Sequence, residues 1–358
     1  MQRPDSQASQ RAWGWLAALQ DGATTPWAEW AAPAEPSLPF FPAAQQLEAL
    51  RRVNAAAGGR PVPGSVTAAL LRGGITDRNR GDLPLADETP RPFGPPAVDP
   101  ADLPARDLLP VVSGPLARFL AALAEEPVRR PLPLVRGWRM VGDPWATAYL
   151  TAAQQRLRRG RTGRRTLVLG ADLVTLTVHA WADHAVSGGR LGLRAWLGER
   201  VTEGHLPRPL DLARTAGRVA EEVGPRHTVI ALDTARVRRL PAPPPVDPTA
   251  VELARWVGRP LGVLTGPERR RHLLLHHLLP RATRATGPVT LPSRWQDLLA
   301  SYADGQRSAL AAKGYPVLGS LDALLPSPAP QPTAFPTDRA VLDRAIDLLL
   351  EPIEGVSR

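Results

Sequence analysis

Proline divides this chain into short pieces. There are 41 prolines among 358 residues, where average usage of about 5% would give about 18. They cluster, in PAEPSLPFFP, EEPVRRPLP and PAPPPVDP. Proline removes a backbone donor and restricts the residue before it. The clusters therefore mark long irregular connections between packed pieces.

The pieces themselves have material for a core, since 43% of the residues are hydrophobic. A chain of this length holds two or three domains of about 100–200 residues each. Cysteine is absent, which excludes disulfides, thiolate zinc sites, iron–sulfur clusters and cysteine nucleophiles. The opening MQRPDSQASQ has no apolar h-region, and no apolar stretch reaches the roughly 18 residues of a membrane span. These features lead us to expect a cytoplasmic protein without a membrane partner. The net charge of +10 invites a nucleic-acid reading. However, Lys313 is the only lysine, and Arg, Ala, Pro and Gly together match the codon usage of a GC-rich genome. Part of the arginine excess is then mutational bias, and nucleic acid is not the favoured partner.

Helical periodicity and capping signals predict helices at Arg11–Leu19, from Pro26 with Thr25 as N-cap, and along AAQQLEALRRVNAA, where Leu47, Leu50 and Val53 recur on one face. Residues 73–110 read as an extended connection, followed by a helix at Gly114–Ala124. In the middle of the chain, LVRGWRMVG leans towards strand, and Asp143-Pro144 begins a helix. TLVLG and HTVIALD are short apolar runs bounded by turn residues, the pattern of buried strands. Strands alternating with helices predict an α/β fold: a small parallel sheet with flanking helices, plus largely helical N- and C-terminal regions and long Pro-rich linkers. The expected organisation is a helical region at 1–125, a central α/β unit at 134–240, a helical region at 249–325, and a linker with a terminal helix at 326–358.

Ligands of open α/β sheets bind at the carboxyl ends of strands. That places a candidate site at Gly170 and Asp172, after TLVL, and at Asp233, which ends HTVIALD. Asp172 also suits the N-cap of the following helix. The basic connector RLRRGRTGRR brings arginine forks that suit phosphate or sulfate. Arg164 and Arg165, with Arg136 and Arg139, are the candidate anion-binding residues. The connector has no interleaved aromatics for base stacking. His272 and His276 lie four apart on a predicted helix, but Leu separates them and arginines surround them. A polar histidine edge is favoured and no metal site is expected. His179 and Asp183 share a helical face, where an i, i+4 surface pair is favoured over a general-base pair. No G-x-G-x-x-G or P-loop motif is present, and no cofactor is expected.

From about Thr166 to Leu325 the chain resembles the later half of a group of bacterial sulfotransferase-like proteins common in actinobacteria. The matching pieces are TLVLGAD, LRAWLGER, LPRPLDLARTAGRVAEEVGPRHTVIALD and ALAAKGYPVLGSLDALLP. The N-terminal pieces WLAALQDGATTPWAEW and AAQQLEALRRVN also resemble an actinobacterial family, with no activity attached. Sulfotransferases hold 3′-phosphoadenylyl sulfate with a Lys-[Ser/Thr]-Gly-Thr turn and with an Arg before the strand-end Asp. Here the lone lysine is far downstream, and Gly170-Ala171 stand where the Arg would be. The resemblance therefore implies the fold without the cofactor site, and a non-catalytic interaction or scaffold protein. The alternatives are a transferase using an anionic nucleotide donor and a non-specific nucleic-acid-binding protein.

Overall fold

The computed structural model describes residues 7–35, 41–73, 83–84, 97–123, 138–155, 165–201, 206–233, 245–284, 289, 291–326 and 335–351. The chain forms two compact units. The first comprises Met1–Leu123, Trp256–Gly266 and Thr337–Arg358, and the second Ala124–Arg255 and Pro267–Pro336. This differs from the division expected from chain order. The helical region at 249–325 is not a unit of its own, and the terminal helix joins the N-terminal ones. A short amphipathic helix cannot bury its apolar stripe alone, so it groups with whatever covers it.

The first unit is helical: α1 (Gln7–Gln20), α2 (Ala44–Ala57), α3 (Gly64–Leu71), α4 (Ala105–Ala122) and the terminal helix α13 (Asp338–Leu350). Its core includes Trp15 and Leu19 of α1, Leu47, Leu50 and Val53 of α2, Leu108 and Val112 of α4, and Leu342 and Ile346 of α13, all buried. Asn54 of α2 donates to the carbonyls of Leu19 and Ala23 at 2.8 and 2.9 Å, closing the end of α1.

Two expectations are corrected here. The helix expected from Pro26 is a single 3₁₀ turn, Trp27–Glu29, and Thr25 does not cap it. Trp27 turns inward against Trp15, with ring centroids 5.4 Å apart, and Arg11 lies 4.0 Å above its ring. This packing outweighs continued helix. The second correction is α4, which starts at Ala105 rather than Gly114 and runs through Pro110 and Pro115. Pro115 has no N–H for the carbonyl of Val111 four residues back. Gly73 approaches that carbonyl so closely that a Cβ would lie 2.8 Å from it. The helix α3 had no counterpart in the sequence reading.

The second unit is an α/β unit. Its strands β1 (Trp138–Gly142), β2 (Arg165–Leu169), β3 (Thr228–Ala231) and β4 (Val317–Leu318) form one parallel sheet in the order β1-β2-β3-β4. The connections carry α5 (Pro144–Gln155), α6 (Leu173–Val186), α7 (Leu193–Arg200), α8 (Leu212–Val223), α9 (Pro248–Leu264), α10 (Pro267–Leu273), a π turn at Leu274–Leu278, α11 (Leu279–Ala282) and α12 (Ser293–Lys313). From Trp256 onward α9 belongs with the first unit.

The strand pattern explains the sheet. Leu167, Leu169, Val229 and Ala231 point to one face, against Ala146 of α5. Val168 and Ile230 point to the other, against Leu212, Ala216 and Val219 of α8 and Leu310 of α12. With both faces covered, continuous apolar runs are what a parallel sheet requires. TLVLG and HTVIALD are thus adjacent parallel strands, as expected, with Leu167 paired to Val229. Leu232, which the apolar run HTVIALD would place in the core with Val229 and Ile230, is half-buried because it lies beyond the end of β3. Among the described residues no helix is long and apolar enough to cross a membrane.

Candidate functional site

Parallel strands put all their carboxyl ends on one edge, which here carries Asp143 after β1, Gly170 and Asp172 after β2, and Asp233 after β3. Each strand-end aspartate has its own local role. Asp172 caps α6, its Oδ1 accepting from the N–H of Thr175 at 3.0 Å. Asp143 caps α5, its Oδ1 accepting from Trp145 and Ala146 at 2.9 and 3.1 Å. The half-buried Asp233 donates its backbone N–H to Leu318 at 3.2 Å. Gly170 is explained by packing, since a Cβ there would lie 2.7 Å from methyls of both Leu212 and Leu232.

The other oxygen of Asp143 makes the contact that sequence reasoning missed. His179, two turns into α6, places Nδ1 2.7 Å from Asp143 Oδ2, and both side chains are buried. A carboxylate with one oxygen holding two backbone N–H groups needs a donor at the other. The contact therefore assigns the proton of a neutral imidazole to Nδ1, leaving Nε2 as the acceptor. Among the described residues His179 makes no second hydrogen bond. The surface pair expected between His179 and Asp183 is absent. Asp183 instead pairs with Arg271 of α10. Burial pushes the Asp183 carboxyl above its ordinary value, Arg271 pulls it down, and the charge of Asp143 pushes it up again. The signal for Asp143 was present in the sequence: it ends its strand as Asp172 and Asp233 follow theirs.

Further along α6, burial and then the charge of Arg200 lower the His184 pKa below its ordinary value. Its Nε2 is buried with no hydrogen-bond partner among the described residues. Next to it the chain turns at Gly188 and Gly189, where added Cβ atoms would meet the Arg270 guanidinium and the His184 ring. Facing α5, the π turn sets His276 5.7 Å from Tyr149 and 4.7 Å from His272, centroid to centroid. Among the described residues no group of three His, Cys, Asp or Glu is placed to hold a metal ion.

The candidate anion-binding arginines fall elsewhere. Arg139 is the second residue of β1 and Arg165 the first of β2, so both stand at the amino end of the sheet, away from the strand-end aspartates. Arg139 is exposed and pairs with Glu222 of α8 at 2.5 Å. Arg136 and Arg164 lie outside the described residues, as does most of the basic connector. Comparison of the chain with family models, with curated proteins and with solved structures finds no match in any of the three.

Proposed function

We propose that the α/β unit is the body of an enzyme that moves a proton on a small molecule bound at the carboxyl edge, with His179 as general base and Asp143 as the residue that positions it. The buried 2.7 Å contact carries this reading. The Asp143 carboxylate fixes the ring and its tautomer, and it stabilises the imidazolium formed when Nε2 takes a proton. Asp143 is itself fixed by two backbone donors from α5, so the pair is preorganised. The transferase alternative has less support. The aspartates along this edge oppose an anionic donor, and the described arginines proposed to receive it stand at the other end of the sheet.

Diethyl pyrocarbonate, which acylates neutral imidazole nitrogens, tests the proposal without a known substrate. His179 is expected to react in the folded protein, and Asp143→Asn to slow that reaction at least about tenfold while keeping the α5 cap, because Asn also caps. A His179 that resists the reagent until unfolding rules the proposal out. That outcome favours the second reading, a non-catalytic scaffold, whose support is that Asp143 and Asp172 already serve as helix caps. Calorimetry with 3′-phosphoadenylyl sulfate is expected to give a dissociation constant weaker than about 10 µM.

A further inference from the structure

We propose that the outer edge of β1 is an interface between two copies of this chain, which pair their β1 strands antiparallel about Met140. The phase of the hydrogen bonds in the sheet fixes which groups face that edge. Asp143 donates its N–H to the Leu169 carbonyl at 2.8 Å, and alternate residues of a strand point the same way. Arg139 and Val141 therefore bond to β2, while the N–H and C=O groups of Trp138, Met140 and Gly142 point away from it. Met140 and Gly142 are half-buried, and among the described residues nothing pairs with their outward groups. Backbone groups partly withdrawn from water cost free energy until they are paired.

The two edges of the sheet are built differently. β4 is 2 residues long, and shortness is one way a sheet protects an edge. β1 is 5 residues long, keeps an unbroken register with β2, and has no proline, lysine or bulge to deter pairing. Its only charged side chain, Arg139, is engaged by Glu222 of α8. A row of alternating donors and acceptors is matched by another extended strand, and β1 is its own complement. In an antiparallel pair centred on Met140, Met140 faces its copy and Trp138 faces the partner's Gly142, so each outward N–H meets a C=O. Arg139 falls opposite the partner's Val141, and like charges do not meet. Met140, which packs half-buried against the core that holds Leu167 and Leu169, is then covered by its copy. The contact uses the same patch on both copies, so it closes at two.

Sedimentation equilibrium of the full chain is expected to show a dimer with a dissociation constant below about 100 µM. Met140→Pro removes an outward N–H and none of the donors that bond to β2, a position where an edge strand tolerates proline. It is expected to weaken the dimer at least about tenfold while circular dichroism stays that of the wild type. Should that variant fail to fold, Met140→Cys decides. The chain has no cysteine of its own, and the two copies of residue 140 stand about 5.5 Å apart, Cα to Cα, in a hydrogen-bonded antiparallel pair, within disulfide range. Under mild oxidation Met140→Cys is expected to link two chains, and Arg218→Cys, on the exposed face of α8, to stay unlinked. A wild type that remains monomeric overturns the proposal. So does a dimer undiminished in folded Met140→Pro, or a Met140→Cys chain that links no faster than Arg218→Cys.

Discussion

Both units bury carboxylates, and Glu48 of the one and Asp143 of the other are satisfied differently. In the helical unit Glu48 is saturated, with both oxygens engaged by Arg51 and Arg52. In the α/β unit Asp143 is saturated too, but its partner is a histidine, and its bond uses only one of the two ring nitrogens. Arginine has donors and no acceptor, so the Glu48 cluster can hold a shape or an anion but cannot accept a proton. A neutral histidine has an acceptor left over. On the proposed reading the same device, a buried acid under a base, is a scaffold in one place and a reactive group in the other.

The largest way to break this comparison is to remove the sheet on which the second pair stands. Ile230 is fully buried between α8 and α12, so Ile230→Ala is expected to destabilise the α/β unit by about 2–5 kcal/mol in urea denaturation. A loss below about 1 kcal/mol would mean that β3 does not fill a packed core. Next comes Glu48→Gln, which leaves two arginines over a neutral group. Removing one partner of a buried ion pair costs about 3–5 kcal/mol. Arg51 and Arg52 keep 20% and 26% side-chain exposure, so about 1–3 kcal/mol is expected. His179→Gln is expected to cost less than Glu48→Gln, because residues held for chemistry are seldom those that stabilise most. If His179→Gln costs more, the two pairs are both structural and the comparison collapses.

The sheet was legible because its signal is local: two apolar runs, each closed by turn residues, with helices enough between them for a crossover. The amphipathic helices α2 and α13 were legible for the same reason. What was not legible depends on partners distant in sequence. His179 meets Asp143 across 36 positions, while its i, i+4 neighbour Asp183 is drawn to Arg271 across 88. Spacing along one helix could suggest only the nearer pairing. The helix α4 was obscured by Pro110 and Pro115, because proline counts against helix locally even where an apolar face, here Leu108, Val112 and Leu116, buries well enough to keep it. Gly170 looked like a site residue because it follows a strand, whereas the two leucines against it give it a packing role.

The smallest expected effect tests whether the acceptor on His179 is a special feature or a general property of α6. His184 lies on the same helix, with Nε2 buried and without a partner among the described residues. Burial, and then Arg200, lower its pKa in the folded state. A base with a depressed folded pKa binds fewer protons folded than unfolded between the two values, so unfolding takes up protons and stability rises with pH there. Its stabilising contribution is complete above the unfolded value of about 6.5 and is lost as pH falls through the lower folded value. His184→Gln removes this titration. Chemical denaturation between about pH 7.5 and 5 should show the wild type losing stability on acidification faster than the variant. Because the ring is only half-buried, the difference should be small. Arg200→Ala should lessen the wild-type slope by removing the nearby positive charge. Parallel pH profiles for wild type and His184→Gln would mean that His184 charges as easily folded as unfolded. The stretch of α6 around His184 would then be open to water, and its unpartnered Nε2 would be no guide to the acceptor on His179.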